Sequence, residues 1–259
     1  MGARRDVHLS GLVIAQDEED RIRACLEALA FCDEQVVVDG GSADGTCELA
    51  RSLGARVVER RFTSMNDQKE FGRGVCNGQW ILNVDADEVV SAELARQVRS
   101  VVDDSNSRYA AYRVTFRNYF RGEWVKTCGY HPDRHVRLVR KAEARWDATV
   151  PTHDRIVVAG RIGTLSGWVD HYSFRSLDHF LDKSRRYATE IAAARHAEGR
   201  RVSGLAIFGR AAFRFFRAYV LQRGFMQGRL GLVIAGLQAQ EVFQKYARQW
   251  ELEHFGSDR

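Results

Sequence analysis

Proline is nearly absent: Pro132 and Pro151 are the two in 259 residues, and the chain shows neither an internal repeat nor a low-complexity tract. Cysteine is sparse as well. The five at positions 25, 32, 47, 76 and 128 form no Cys-x-x-Cys pair and are odd in number, which argues against a zinc site or a disulfide framework and fits a reducing cytosol. No uninterrupted apolar run approaches the roughly 20 residues that span a bilayer; the longest, Leu230 to Leu237, is far shorter. The apolar stretch at 9–15 runs straight into Asp17-Glu18-Glu19-Asp20, so no signal peptide is expected here. The glycines of segment 40–45 match neither Gly-x-Gly-x-x-Gly nor Gly-x-x-x-x-Gly-Lys-Ser/Thr. That removes the phosphate cradles of dinucleotide oxidoreductases and P-loop NTPases.

Acidic residues are missing from one region only. Residues 200–248 hold nine Lys/Arg against the single acid Glu241, a local charge of +8, whereas the preceding 199 residues sum to −1. A basic tail on a neutral body implies an anionic partner. Its aromatics follow helix faces and form no recognised RNA-binding motif, which speaks against nucleic acid.

What is present is ordinary globular composition, 45% apolar and 28% charged, and 259 residues suit one elaborated α/β domain or one domain with an appendage. Strands are expected at 9–15, 34–39, 56–59 and 80–84. Helices are expected at 18–31, 44–53 and 66–76, with another that Ser91 caps and that reaches about Val102. Such alternation implies parallel pairing with helices on both faces. From Tyr109 the texture becomes two-residue alternation, as in Tyr112, Val114 and Phe116, which suggests antiparallel strands. From Ser176 it turns helical, with helices expected at about 177–197, 203–223 and 228–249.

Two apolar runs end abruptly in carboxylates: Val37-Val38-Asp39-Gly-Gly-Ser-Ala-Asp-Gly-Thr46 and Ile81-Leu-Asn-Val-Asp85-Ala-Asp87-Glu88. In open α/β sheets ligands bind outside the carboxyl ends of the strands. Asp39, Asp85 and Asp87 would share such a rim, and hard oxygen ligands of this kind suit a divalent cation holding a diphosphate.

These segments resemble the GT-A-fold glycosyltransferases of family 2. Asp85-Ala86-Asp87 looks like their metal-binding Asp-x-Asp, and Asp39 to Thr46 like their Asp-x-x-Ser-x-Asp-Gly-Thr. Ala15-Gln16-Asp17-Glu18-Glu19 is similar to their Asn-Glu-Glu loop, with Asp in place of Asn. Tyr130-His131-Pro132-Asp133-Arg134, Val136 to Arg140 and His171 to Ser176 resemble the bacterial lipopolysaccharide-core group, which includes β-1,4-glucosyltransferases.

The resemblance implies a Rossmann-like, mostly parallel sheet flanked by helices, with a C-terminal helical extension. Residues 1–105 would bind the nucleotide sugar, 106–175 the acceptor, and 176–259 would form the basic extension. Mn²⁺ or Mg²⁺ would sit on Asp85 and Asp87, with His171 within reach. Asp17, Glu18, Asp39, Lys69 and Asp85 would contact a UDP-sugar, although Asp39 could instead cap its own loop and Lys69 could lie on a solvated helix face. Asp154, in Thr152-His153-Asp154, would be the general base that accepts the acceptor hydroxyl proton. Trp124, Tyr130, Arg134 and Arg137 would meet a glycolipid or oligosaccharide acceptor, while Arg140 would face solvent.

The expected activity is inverting transfer of a hexose, glucose first, onto a bacterial envelope glycolipid such as the lipopolysaccharide inner core. The alternative is a noncatalytic nucleotide- or glycan-binding protein on the same fold. Protein partners are left open. In the tail, Arg210, Arg214 and Arg217 fall within an arc of about 60° on a helix, opposite Leu205, Phe208, Phe215 and Tyr219. This suggests a cytoplasmic protein attached peripherally to the anionic inner face of the bacterial cytoplasmic membrane.

Overall fold

The structure, a computed structural model, describes residues 7–149 and 155–256. The chain opens with β1 (Leu9–Ala15), α1 (Ile22–Ala28), β2 (Glu34–Asp39), α2 (Thr46–Ser52) and β3 (Arg56–Glu59). It continues through α3 (Met65–Val75), β4 (Trp80–Asp85), β5 (Glu88–Val90) and α4 (Ala92–Val102). Strands then take over: β6 (Tyr109–Phe120), β7 (Glu123–Trp124), β8 (Asp133–Arg140), β9 (Ala144–Trp146), β10 (Ile156–Val158) and β11 (Arg161–Phe174). Helices α5 (Leu177–Ala197), α6 (Gly204–Phe216) and α7 (Gly228–Phe255) follow. Between the last two lie a π turn (Arg217–Leu221) and a 3-10 turn (Gly224–Gln227). Two compact units result, Met1–Phe116 with Arg134–His171, and Arg117–Asp133 with Tyr172–Arg259.

In the first unit β1 pairs in parallel with both β2 and β4, and β3 extends β2 in parallel. Beyond β4 the pairing turns antiparallel, first to β8, and β5 pairs antiparallel with β11. All seven residues of β1 are buried, as a continuous apolar run must be when helices cover both faces of a parallel sheet. Successive side chains point to opposite faces. Leu9 and Val13 join one core with Ile22, Leu26 and Leu94, while Leu12 and Ile14 join another with Met65, Phe71 and Ile81.

Gly72 makes the second packing possible: a Cβ there would fall 2.5 Å from Leu12 Cδ1, so only glycine lets α3 lie this close to β1. Ser64 and Ser91 cap α3 and α4 by accepting from the Asp67 and Leu94 N–H groups. Those caps free the helix starts from unpaired donors at the sheet rim. Arg140 does not face open solvent as expected. Its guanidinium lies 4.4 Å from the Trp80 ring centroid and donates to the carbonyls of Tyr109 and Ser107.

The second unit has its own core of Val125, Cys128, Phe180, Ala218, Ile234 and Leu237. Helix α6 ends at Phe216, short of the expected 223, and α7 runs beyond the expected 249. None of the described helices is long and apolar enough to cross a membrane. The mixed α/β sheet with helices on both faces of its parallel part, followed by a helical C-terminal segment, is the GT-A architecture the sequence leads one to expect.

Candidate active site

The loops after β1 and β2 are laced together at the carboxyl ends of their strands. The Ala43 N–H donates to Asp17 Oδ1 (2.7 Å), and the Asp17 N–H donates to Ser42 Oγ (2.9 Å). The Glu18 N–H donates to Thr46 Oγ1 (2.9 Å), and the Gly45 N–H to Glu19 Oε2 (3.1 Å). Asp17 holds a left-handed backbone, φ 54°, to make this exchange. That conformation is open to Asp and Asn more than to most residues, which is why Asp can stand in this loop.

Asp39 is 1% exposed and accepts from the Gly41 and Ser42 N–H groups, each at 2.9 Å, and from the Ser42 hydroxyl. These bonds tie the Asp39 carboxylate to the loop that follows β2. Asp44 accepts from the Thr46 hydroxyl and from the Thr46 N–H at the start of α2, and this bonding lowers its pKa.

The Asp-x-Asp segment leaves β4 and turns at once into β5. Asp85 Oδ1 lies 3.2 Å from Lys69 Nζ, and Asp85 Oδ2 lies 3.2 Å from Arg137 Nη2. Lys69 comes from α3 and is only 2% exposed, so it is not on a solvated helix face. Arg137, expected on an acceptor surface, is buried. Its Nη2 donates to Glu88 Oε1 at 2.6 Å, and its guanidinium lies 5.0 Å from the Phe116 ring centroid. Glu88 is fully buried and also accepts from the Asp85 N–H (2.9 Å).

Burial acts to raise the Asp85 carboxyl, but Lys69 and Arg137 overcome it and hold it well below the usual carboxylate range. Burial pushes the Glu88 carboxyl up to about 7 against the pull of Arg137. The two acids thus differ because Asp85 has two cations beside it and Glu88 shares one of them.

Asp87 points elsewhere. Its Oδ2 lies 3.5 Å from His171 Nε2 and 3.5 Å from Arg21 Nη1. His171 arrives through the backbone ladder: in the antiparallel pairing of β11 with β5 it stands opposite Glu88. Its ring also packs edge-on against Phe116 at 6.0 Å. Burial would lower the His171 pKa, but Asp87, Glu88 and Asp85 outweigh it and raise it. Ligand atoms of Asp87, Glu88 and His171 all lie within 4.8 Å of one another.

Two carboxylates and an imidazole suit Mn²⁺ or Mg²⁺ better than a thiophilic metal. Both Glu88 oxygens already accept from other groups, so Asp87 and His171 are the better ligands. Cys25 sits nearby, with its thiol 3.5 Å from the Asp85 carbonyl; burial raises its pKa well up, so it stays a thiol.

Glu88 and Arg21 were not foreseen as members of this cluster. Glu88 follows Asp87 directly, and that adjacency was the available signal. Arg21, just before α1, carried none.

The remaining candidates are dispersed. Asp154 lies outside the described residues. Arg134 is exposed on β8. In the second unit Trp124 carries Arg117 and Lys126 over its ring at 4.7 and 4.8 Å. Tyr130 packs edge-on against Phe174, and burial pushes its hydroxyl up to about 12.

Residues 10–198 match the model of the family described as glycosyl transferase family 2. The chain belongs to glycosyltransferase family 2. An uncharacterized glycosyltransferase of Rickettsia typhi is 30% identical over 254 residues, covering 94% of this chain and 87% of that protein. The lipopolysaccharide core biosynthesis glycosyltransferase LpsC of Rhizobium meliloti is 28% identical over 257 residues, covering 92% of this chain and 93% of LpsC. Among solved structures, S. aureus TarS 1–349 in complex with UDP aligns at 14% identity over 96% of this chain and 92% of that one, with a TM-score of 0.48. The family expected from Asp39–Thr46 and Asp85–Asp87 is thus the family of the chain, and the lipopolysaccharide-core resemblance has a named counterpart in LpsC.

Proposed function

We propose that this family 2 glycosyltransferase moves a hexose, glucose from UDP-glucose first, onto a bacterial envelope glycolipid of the lipopolysaccharide inner-core class, with inversion at the anomeric carbon. The observation that carries the reading is the Asp87–His171 pair at the end of β4, 3.5 Å apart, beside an Asp85 held by Lys69 and Arg137. The name of LpsC supports the acceptor class.

Asp87 and His171 would hold Mn²⁺ or Mg²⁺, which when bound neutralises the diphosphate of the donor as it departs. Asp85 stays ionised and fixed between its two cations and would face the donor from the same rim. Asp17 and Glu18 fix the loop that would border the nucleoside, and Asp39 shapes the loop opposite. Asp154 would take the proton of the acceptor hydroxyl in a single displacement, with no covalent intermediate. Arg134, the exposed member of the acceptor set, would meet the anionic acceptor. The basic tail would hold the enzyme peripherally on the inner face of the cytoplasmic membrane.

The test is a panel of nucleotide sugars incubated with core glycolipid, with the product linkage read by NMR. A β-linked glucose from UDP-α-glucose is expected. A retained α linkage would remove the single displacement, and no product with any donor and acceptor would favour the binding-protein alternative.

A further inference from the structure

Helix α6 buries a narrow stripe and presents a wide apolar face outward. With Ile207 as origin and about 100° per residue, Ile207 and Ala211, both buried, fall within about 40°. Phe208, Leu205, Phe216 and Phe213 occupy the arc from about 100° to about 240°, and they are 71%, 86%, 48% and 59% exposed. Leu205 and Phe208 were expected on one side of the helix with Phe215 and Tyr219. Phe215 and Tyr219 are half-buried and stack on each other at 5.5 Å, while Leu205 and Phe208 stand free of the core.

The exposed face continues past the π turn through Leu221 (60%) and Met226 (66%). Sideways it continues into an apolar groove of about 330 Å³ between α6 and α7, where Phe208 and Phe243 lie 5.5 Å apart. Single exposed apolar side chains are ordinary, but a contiguous strip of this kind marks an interaction surface. Arg210 and Arg217 lie at about 300° and about 280°, along the margin between the buried stripe and the apolar face. Arg210 is steadied there by Tyr246, whose hydroxyl it meets at 3.1 Å.

We propose that α6 and the turn after it insert this apolar face into the acyl boundary of an anionic bilayer, with the arginines at headgroup level. The inference rests on the peripheral attachment proposed above and changes its nature, from charge held at the surface to apolar side chains buried in lipid. An exposed apolar arc bordered by arginine is the pattern of a helix lying in the membrane plane. Charge decides the occupant. Residues 200–248 carry nine cations and one acid, so two copies meeting through this face would bring like charges together, whereas an anionic leaflet satisfies both arc and margin.

The test is flotation of the full chain with vesicles of phosphatidylcholine containing phosphatidylglycerol, at low salt and in 1 M NaCl, where screening reaches about 3 Å. The parent should remain bound in high salt. A variant with Leu205→Ser, Phe208→Ser, Phe213→Ser and Phe216→Ser should bind at low salt and lose binding on the order of tenfold in high salt. Single Phe208→Ser and Leu205→Ser variants, with melts equal to the parent, should show the same trend in smaller measure. Arg210→Gln, Arg214→Gln and Arg217→Gln together should weaken low-salt binding. Release of the parent by salt overturns insertion but keeps surface attachment, and no binding under any condition overturns both. A parent that dimerises without lipid through this face, with the serine variant monomeric, also overturns insertion.

Discussion

Asp87 Oδ2 and His171 Nε2 stand 3.5 Å apart because β5 begins at the residue after Asp87 and pairs with the strand that carries His171. The backbone ladder places His171 opposite Glu88, and Asp87 lies in the turn immediately before that pair.

A metal prediction follows from that geometry. Asp87→Asn and His171→Gln should each weaken Mn²⁺ binding in the presence of UDP by about tenfold or more. Asp85→Asn should weaken it less, because Lys69 and Arg137 already balance that carboxylate. Mn²⁺ titration followed by electron paramagnetic resonance measures all three. Unchanged affinity in His171→Gln would remove His171 from the site.

Arg137 should matter for stability as much as for activity. Its loss strands the fully buried Glu88 beside Asp85, and breaking a buried pair on one side costs about 3–5 kcal/mol. Urea unfolding of Arg137→Met should show a loss of that order, and adding Glu88→Gln should recover part of it. A loss no larger than the ~1 kcal/mol typical of exposed pairs would contradict the buried-pair reading.

Asp154→Asn should lower turnover by orders of magnitude while donor affinity stays near that of the parent, since the base acts only as the acceptor attacks. Single-turnover kinetics with a separate UDP-sugar binding isotherm distinguishes the two. Lost donor binding with turnover intact would move Asp154 into the donor pocket.

Acid sensitivity should trace in part to Asp33. Burial acts to raise its pKa, but the Arg99 guanidinium and the Leu9 and His8 N–H groups prevail and lower it. A carboxylate with a depressed folded pKa contributes stability above its unfolded value, about 3.9, and loses it as pH falls through the folded one. Urea midpoints between pH 5 and pH 3 should therefore fall more steeply in the parent than in Asp33→Asn. Parallel slopes would assign the acid sensitivity elsewhere.

The parallel half of the sheet was legible because β1 to β4 are short, mostly apolar segments with carboxylates or turns near their ends, and α5 matches the expected 177–197. Helix α1 was read too long at its start: residues 18–21 belong instead to the loop tied to segment 42–46, and those hydrogen bonds are tertiary. Strand β5 is three residues long, too short for any periodicity to announce it, so the route that brings His171 to Asp87 stayed hidden. The pairing of Arg137 with Glu88 was unreadable too, since a buried ion pair between β8 and β5 leaves no local pattern. On α6 the sequence shows where the apolar residues lie around the helix but not which arc packs: Ile207 and Ala211 are buried, while Phe208, Phe213 and Phe216 stand outside.

Release of UDP from UDP-glucose in the presence of core glycolipid is the measurement that bears most directly on the reading as a metal-assisted transferase. The parent should release UDP with Mn²⁺ or Mg²⁺, stop in EDTA, and resume when metal is restored, while folded Asp87→Asn should be slower by about a hundredfold or more. Undiminished release in chelator, or an Asp87→Asn enzyme as fast as the parent, would contradict it.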